Sequence, residues 1–287
     1  MPAALRDTCP AAPELAVEQE FAFSPQDFER VRQLIYDHAG IHLHAGKQAM
    51  VYSRLSRRLR ETGHRTFAEY LGWLQQPGDP SAHAEWQQFV NGLTTNLTSF
   101  FREAHHFDCL AQDLLDRPGR DLRIWCAAAS TGEEPYSIAM VVDETLGAHA
   151  RVEIVASDID TAVLDSARRG IYEAEARGLS PQRLRRHFLR GKGSNHGRIR
   201  VRPALARRIG FRTLNLIEPH WELGAPFDIV FCRNVMIYFD AETQRRVLTR
   251  IHEVMKPQGL LFIGHSENFT DLKVQFRLRG KTVYERV

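Results

Sequence analysis

Residues 122–160 read LRIWCAAASTGEEPYSIAMVVDETLGAHARVEIVASDID. Leu122 to Ala127 is a short apolar run of strand length, and Val152 to Ser157 is another. Between them a helix is expected from about Pro135 to Leu146, ended by Gly147. Further strands at Phe211 to Leu216, Phe227 to Cys232 and Gly259 to Gly264, with a helix from Ala241 to Met255, continue the alternation. Strands alternating with helices predict an α/β fold, a parallel sheet covered by helices. The chain closes on Val274 to Leu278 and Thr282 to Arg286 around Arg279-Gly280-Lys281, which reads as an antiparallel hairpin at the sheet edge. Gly170 to Arg208 interrupts the rhythm, and within it Gly197 to Val201 alternates like an exposed strand, so an inserted basic subdomain over about 170–210 is expected.

Upstream, residues 21–93 predict a small helical domain. Ser24-Pro25 opens a helix whose apolar face is Phe28, Val31 and Ile35, with Gly40 after its end. A second helix, about Gln48 to Thr62, buries Tyr52, Leu55 and Leu59 and stops at Gly63. Thr66 with Glu69 reads as a capping box for a third, and Pro77-Gly78-Asp79-Pro80 separates it from a fourth over roughly Ala82 to Leu93. Residues 94–120 form a linker and connecting helix, and 121–287 the second domain. Residues 1–20 carry no basic-then-apolar leader and read as a disordered tail.

At 287 residues, 43% hydrophobic and 25% charged, the chain is long enough for a substantial core. No run approaches the ~20 apolar residues of a membrane span. Cys9, Cys109, Cys126 and Cys232 form no CxxC pair, which favours the cytoplasm. His42/His44 and His105/His106 have no Cys or carboxylate at ligand spacing, so no metal is expected. The overall charge of +3 is segregated. Lys47 to Arg65 carries a net +5 and Ser166 to Arg212 a net +12, leaving −14 for the remainder. Two basic surfaces suggest an acidic or polyanionic partner.

Open α/β sheets bind ligands beyond the carboxyl ends of their strands. After the first strand, Ala127-Ala128-Ala129-Ser130-Thr131-Gly132-Glu133-Glu134-Pro135 lets backbone approach a ligand, offers free N–H groups at a helix start and sets Glu133 to meet a cation. Neither GxGxxG nor GxxxxGK[ST] occurs, which speaks against a nicotinamide cofactor and a P-loop. Asp158 after the second strand is placed to accept ribose hydroxyls, and Asp160 to cap a helix. Asn215-Leu216 and Arg233-Asn234-Val235-Met236-Ile237-Tyr238 follow the next two strands. In the linker, Asn96 and Thr98 can hydrogen-bond a ligand, and Arg102 can hold a carboxylate through paired donors.

At these residues the chain resembles the CheR-type chemotaxis receptor methyltransferases. The matching pieces are TNLTSFFRE (95–103), ASTGEEPYSIAM (129–140), SDID (157–160), FCRNVMIYFD (231–240) and GHSE (264–267), in the family's order. The resemblance implies a Rossmann-like S-adenosylmethionine-dependent methyltransferase sheet, an inserted small antiparallel β-subdomain and an all-α N-terminal domain. It implies a protein-glutamate O-methyltransferase that modifies the cytoplasmic coiled-coil methylation region of methyl-accepting chemotaxis receptors, acting as a monomer without nucleic acid or membrane insertion. Carried over by position, Asn96, Thr98, Arg102, Glu133, Asp158, Asn215, Leu216, Arg233 and Asn234 contact the cofactor.

A receptor glutamate, with a pKa of about 4.3, is already ionised and needs no general base. Arg102 is then expected to orient a carboxylate and Tyr238 to shape the methyl-transfer pocket. Arg54, Arg57, Arg58 and Arg60, largely opposite the apolar face of their helix, suggest a docking surface for the acidic receptor helix. The +12 insert admits a rival, methylation of nucleic acid, against which stands Arg-Asn-Val where an Asn/Asp-Pro-Pro-aromatic run would read base amines. A silent cofactor-binding scaffold is the third reading.

Overall fold

The computed structural model describes residues 20–117, 119–267 and 275–287. The expected tail, apart from Glu20, and Val274 of the expected hairpin lie outside the described residues. Four helices come first: α1 (Pro25–Ala39), α2 (Gln48–Thr62), α3 (Phe67–Leu74) and α4 (Pro80–Leu93). Ser24 and Asp27 form a complete capping box at the start of α1, each satisfying the other's backbone N–H. Thr66 caps α3, but Glu69 accepts from the N–H of Arg65 instead of that of Thr66, so the box expected there is only half made. The apolar stripes of the four helices close on Val31, Ile35, Leu55, Leu59, Phe67 and Phe89, all buried.

A connecting helix, α5 (His105–Leu115), leads to the sheet. The order that follows is β1 (Leu122–Cys126), α6 (Glu133–Leu146), β2 (Val152–Asp158), α7 (Thr161–Arg169), β3 (Ile171–Glu173), α8 (Pro181–His187), β4 (Phe188–Arg190), β5 (Arg198–Val201), α9 (Pro203–Ala206) and β6 (Ile209–Thr213). It ends with β7 (Phe227–Cys232), α10 (Ala241–Val254), β8 (Met255–Ile263), β9 (Phe276–Gly280) and β10 (Val283–Arg286). The main sheet has the order β6-β2-β1-β7-β8-β10-β9, parallel through β8, with β10 and β9 antiparallel at the edge. A separate antiparallel sheet, β3-β5-β4, forms the insert. Alternate residues of the central strands feed two cores: Ile124, Ile154 and Phe231 on one face, Trp125, Val155 and Val230 on the other. This is the Rossmann-like sheet, edge hairpin, β-insert and helical N-domain expected. Among the described residues no helix is long and apolar enough to cross a membrane.

Several boundaries shift: the strand expected from Gly259 begins already at Met255, and two other shifts bear on the strand ends. The strand expected at Phe211 to Leu216 lies at Ile209–Thr213, because Leu214 and Leu216 are apolar for a different purpose: both pack in the second core beyond the strand end. The helix expected from Pro135 begins at Glu133, behind a left-handed Gly132. A Cβ on Gly132 would lie 2.7 Å from the Tyr172 hydroxyl oxygen and 2.9 Å from Ala167 Cβ, so only glycine fits this turn.

The basic face of α2 is corrected more sharply. Arg58 turns inward: its side chain is 17% exposed and grips Glu85, itself 6% exposed, at 2.6 Å, with the Tyr70 hydroxyl donating to the same carboxylate. Arg54 donates to the carbonyls of Gly92 and Thr94. Arg57, 75% exposed beside Glu61, is the one of the three that stands on the surface. Arg58→Ala strands a buried carboxylate and is expected to cost about 3–5 kcal/mol, whereas Arg57→Ala stays within about 0.5 kcal/mol. Urea denaturation of the two variants distinguishes these roles, and equal losses would contradict the buried pair.

Candidate active site

The strand order turns around between β1 and β7, where a crevice opens beyond the carboxyl ends of the strands. A cleft of about 920 Å3, open solvent at its mouth included, lies there. Its walls come from the residues following four strands, from the linker over residues 94–102, and from Ala39, Ile41 and Leu93 of the helical domain. The helical domain is fastened over the strand ends by hydrogen bonds from Tyr36 Oη to Asp240 (2.6 Å), Asn215 Nδ2 to the His38 carbonyl (2.6 Å) and Gln87 Nε2 to the Ile159 carbonyl (2.9 Å). The N–H of His42 donates to the Tyr238 carbonyl at 2.8 Å and so fixes the turn that carries Tyr238.

Asn96, Thr98, Arg102, Asp158, Asn215, Leu216, Arg233, Asn234 and Tyr238 all line this one cleft. Glu133 does not line it: its carboxylate accepts from the Thr131 hydroxyl at 2.6 Å, and the next residue, Glu134, faces the cleft instead. Glu134 is paired with the protein's own Arg233 at 2.7 Å. Arg54, Arg57 and Arg58 line a neighbouring groove whose residues include Thr94, which also lines the cleft.

Arg233 is completely buried. Its second carboxylate is Glu103 at 3.1 Å, and it donates to the Arg102 carbonyl at 2.5 Å. Burial pushes Glu134 above the usual carboxylate range against the pull of Arg233. Burial also opposes ionisation of Glu103, but Arg233, the His265 N–H and Asn234 together hold it below that range. Asp158 accepts from the N–H groups of Ser130 (2.8 Å) and Asp160 (3.0 Å), yet burial still raises it to about 6. Asp160 caps α7 with one oxygen and with the other holds Thr94 at 2.6 Å and Asn96 at 2.8 Å. One carboxylate thereby joins the sheet to the linker. Arg102 donates to the Leu97 carbonyl at 2.9 Å, curling the linker around the cleft mouth.

Left-handed non-glycine backbone gathers here. Ser130 (φ 47°) and Asn234 (φ 57°) line the cleft, and Phe101 (φ 52°) and Glu103 (φ 57°) flank Arg102. Such conformations cost on the order of 1–3 kcal/mol each and persist where surrounding contacts impose them. For Asn234 the contact is identifiable. Buried Glu267 accepts from the N–H groups of Asn234 (2.9 Å), Met236 (2.7 Å) and Gly264 (2.8 Å), clamping the turn after β7 onto the end of β8. A Cβ on Gly264 would lie 2.5 Å from Asn234 Nδ2, which explains the glycine of the GHSE stretch. No role could be read for Glu267 from sequence, because two of its three partners are backbone groups about thirty residues away. Glu134, Val235 and Phe239 were likewise missed as lining residues, although the tandem Glu133-Glu134 was a visible signal.

His105/His106 also need correction. A carboxylate does stand beside them: Glu103 Oε2 lies 3.5 Å from His106 Nδ1, and the fold brings His265 to the same place.

Glu267→Gln puts an NH2 group against backbone N–H donors. We expect it to destabilise the fold by about 1–3 kcal/mol and to weaken ligand binding in the cleft, as read by thermal melts and calorimetry. Wild-type stability would exclude the clamp.

Comparison with known proteins agrees with this geometry. The family model for the CheR methyltransferase, SAM binding domain, matches residues 96–285, and that for the CheR methyltransferase all-alpha domain matches residues 26–94. A chemotaxis protein methyltransferase of Klebsiella aerogenes is 52% identical over 283 residues, covering 98% of this chain and 96% of its own. Those of Escherichia coli and Salmonella typhimurium are 52% and 53% identical, each covering 94% of this chain and 94% and 93% of their own lengths. The helical cover, the sheet and the cleft between them are those of a chain that belongs to the CheR methyltransferase family.

Proposed function

We propose that this protein transfers a methyl group from S-adenosylmethionine to glutamate side chains in the cytoplasmic coiled-coil region of methyl-accepting chemotaxis receptors, in the cytoplasm and as a monomer. The observation that carries the reading is the donor set of the cleft. Asp158 and Glu134 line it with carboxyl groups, the latter already paired with Arg233, Arg102 with a guanidinium, and Leu216, Val235 and Phe239 with apolar surface. That set suits a ligand carrying ribose hydroxyls, a cationic centre, a carboxylate and a flat apolar base. When bound, S-adenosylmethionine supplies a methyl group activated by a sulfonium.

The chain's own residues have a limited task. The receptor carboxylate is ionised at cellular pH, so no residue need remove a proton. Asp158 accepts hydroxyls, Asn96 and Thr98 donate and accept at the linker side, and Asn215 and Leu216 form the opposite wall, with Arg233 and Asn234 at its end. Arg102 orients a carboxylate at the mouth, and Tyr238 shapes the entry. Holding the reacting groups in line and apart from water contributes roughly 7–11 kcal/mol to such reactions. The groove along Ser53, Arg54, Arg57 and Asn91 extends to Thr94 and so offers an acidic receptor helix a path to the cleft, with Arg57 as its exposed charge.

Methyl-labelled S-adenosylmethionine incubated with receptor-bearing membranes, and separately with total RNA, tests the reading. Label on a membrane protein, released as methanol by mild alkali, is expected; alkali-stable label on RNA would overturn it in favour of the rival. A second expectation concerns pH. Asp158 titrates near 6 in the ligand-free protein, so the charge-assisted acceptor is present above that pH and lost below it. Affinity for S-adenosylhomocysteine should hold steady above about pH 7 and weaken about tenfold as pH falls through 6. Calorimetry across this range, with a flat profile, would remove Asp158 from the role.

A further inference from the structure

Glu103, which pairs with Arg233, also faces three histidines drawn from distant parts of the chain. His105 and His106 open α5, His265 follows β8, and the β9–β10 turn at Lys281 and Thr282 closes over them. One ring nitrogen from each histidine lies within 4.8 Å of the other two. The His105 and His265 Nε2 atoms are 3.2 Å apart, and the Lys281 carbonyl oxygen is 3.3 Å from both His105 Nε2 and His106 Nε2. A tetrahedral ion with bonds of about 2.0–2.1 Å holds its donors about 3.3–3.4 Å apart, so these three separations already match the edges of a four-coordinate site.

A second, independent feature concerns His106. It is wholly buried, its Nε2 lies 3.0 Å from the Thr282 hydroxyl, and its Nδ1, which has no hydrogen-bond partner among the described residues, faces Glu103 Oε2, the oxygen that pairs with Arg233, at 3.5 Å. A metal-ligating histidine characteristically turns its other ring nitrogen toward a carboxylate, which fixes the tautomer and leaves the opposite lone pair for the ion. His105 stacks on His265 at 4.7 Å and His106 meets Phe262 edge-on, which leaves the His106 Nδ1 facing Glu103 as the contact that ring packing does not account for.

We propose that His105, His106 and His265, with the Lys281 carbonyl, form a binding site for a divalent transition ion of zinc's coordination preference, backed by Glu103. Three imidazoles and one oxygen suit Zn2+ better than the oxygen-seeking Mg2+ or Ca2+. The site is separate from the methyl-transfer cleft and ties α5, the end of β8 and the β9–β10 hairpin together. Through Glu103 it touches the ion pair that holds Arg233.

The test uses the full chain, stripped with chelator and titrated with Zn2+ alone by calorimetry, with Co2+ as a spectroscopic probe. One Zn2+ per chain and the intense visible bands of four-coordinate Co2+ are expected. His265→Ala and His105→Ala, both at partly exposed positions, should each weaken Zn2+ at least about tenfold and abolish those bands, with His265→Gln as the conservative check on folding. The paired variant His42→Ala/His44→Ala removes the other close histidine pair and should bind as the parent does. No uptake, octahedral Co2+ bands, or binding that survives at His265→Ala but disappears with His42 and His44 would overturn the site.

Discussion

A guanidinium taken wholly out of water must be held by carboxylates, and in this chain that requirement falls on Arg233. Glu134 comes from the first turn of α6, Glu103 from the linker, and the Arg102 carbonyl completes the set. Removing one partner of such a buried group costs on the order of 3–5 kcal/mol. The linker therefore cannot drift from the sheet's switch point without leaving charge unpaired, and Arg102 is delivered to the cleft mouth as a consequence. The left-handed backbone at Phe101 and Glu103 marks where the chain bends to meet this demand. The helical domain, bound through Asp160, His38 and Asp240, then closes the cleft from above.

The parts of this arrangement that were legible in sequence are those governed by local chemistry. Strand length follows from the apolar runs at 122–127, 152–157 and 227–232, and glycines 40, 63 and 147 end the helices they follow. The position of ligand residues after strand ends is a property of open parallel sheets, so Asp158, Asn215, Arg233 and Asn234 could be named before their surroundings were known. The quoted family motifs brought Asn96, Thr98 and Arg102 to the same cleft. What stayed hidden depends on partners far along the chain. Arg58 and Arg57 are adjacent residues of one type on one helix, and only the approach of Glu85 from α4 separates an interior charge from a surface one. Glu133 and Glu134 differ likewise only through Arg233, a hundred residues on.

The basic insert illustrates how a net charge misleads when its partners are left out. The +12 counted over Ser166 to Arg212 suggested a grip for phosphates. In the fold, Arg183 and Arg186 pair with Glu144 and Asp143 in the last turn of α6. Arg208 donates to the carbonyls of Gly147, Ala148 and Ala150 just beyond that helix end. Cations at a helix carboxyl end meet the negative pole of its dipole as well as unsatisfied carbonyls. Arg212 donates to the Glu222 carbonyl beyond its own strand and Arg168 pairs with Asp165 along α7, so it is Arg183, Arg186 and Arg208 that fasten the insert to the end of α6. Acids counted in the remainder of the chain are the partners of bases counted in the insert. Each cation held by an acid in this way gains little from releasing counterions onto a nucleic acid, and the physical basis for the rival reading shrinks by that share.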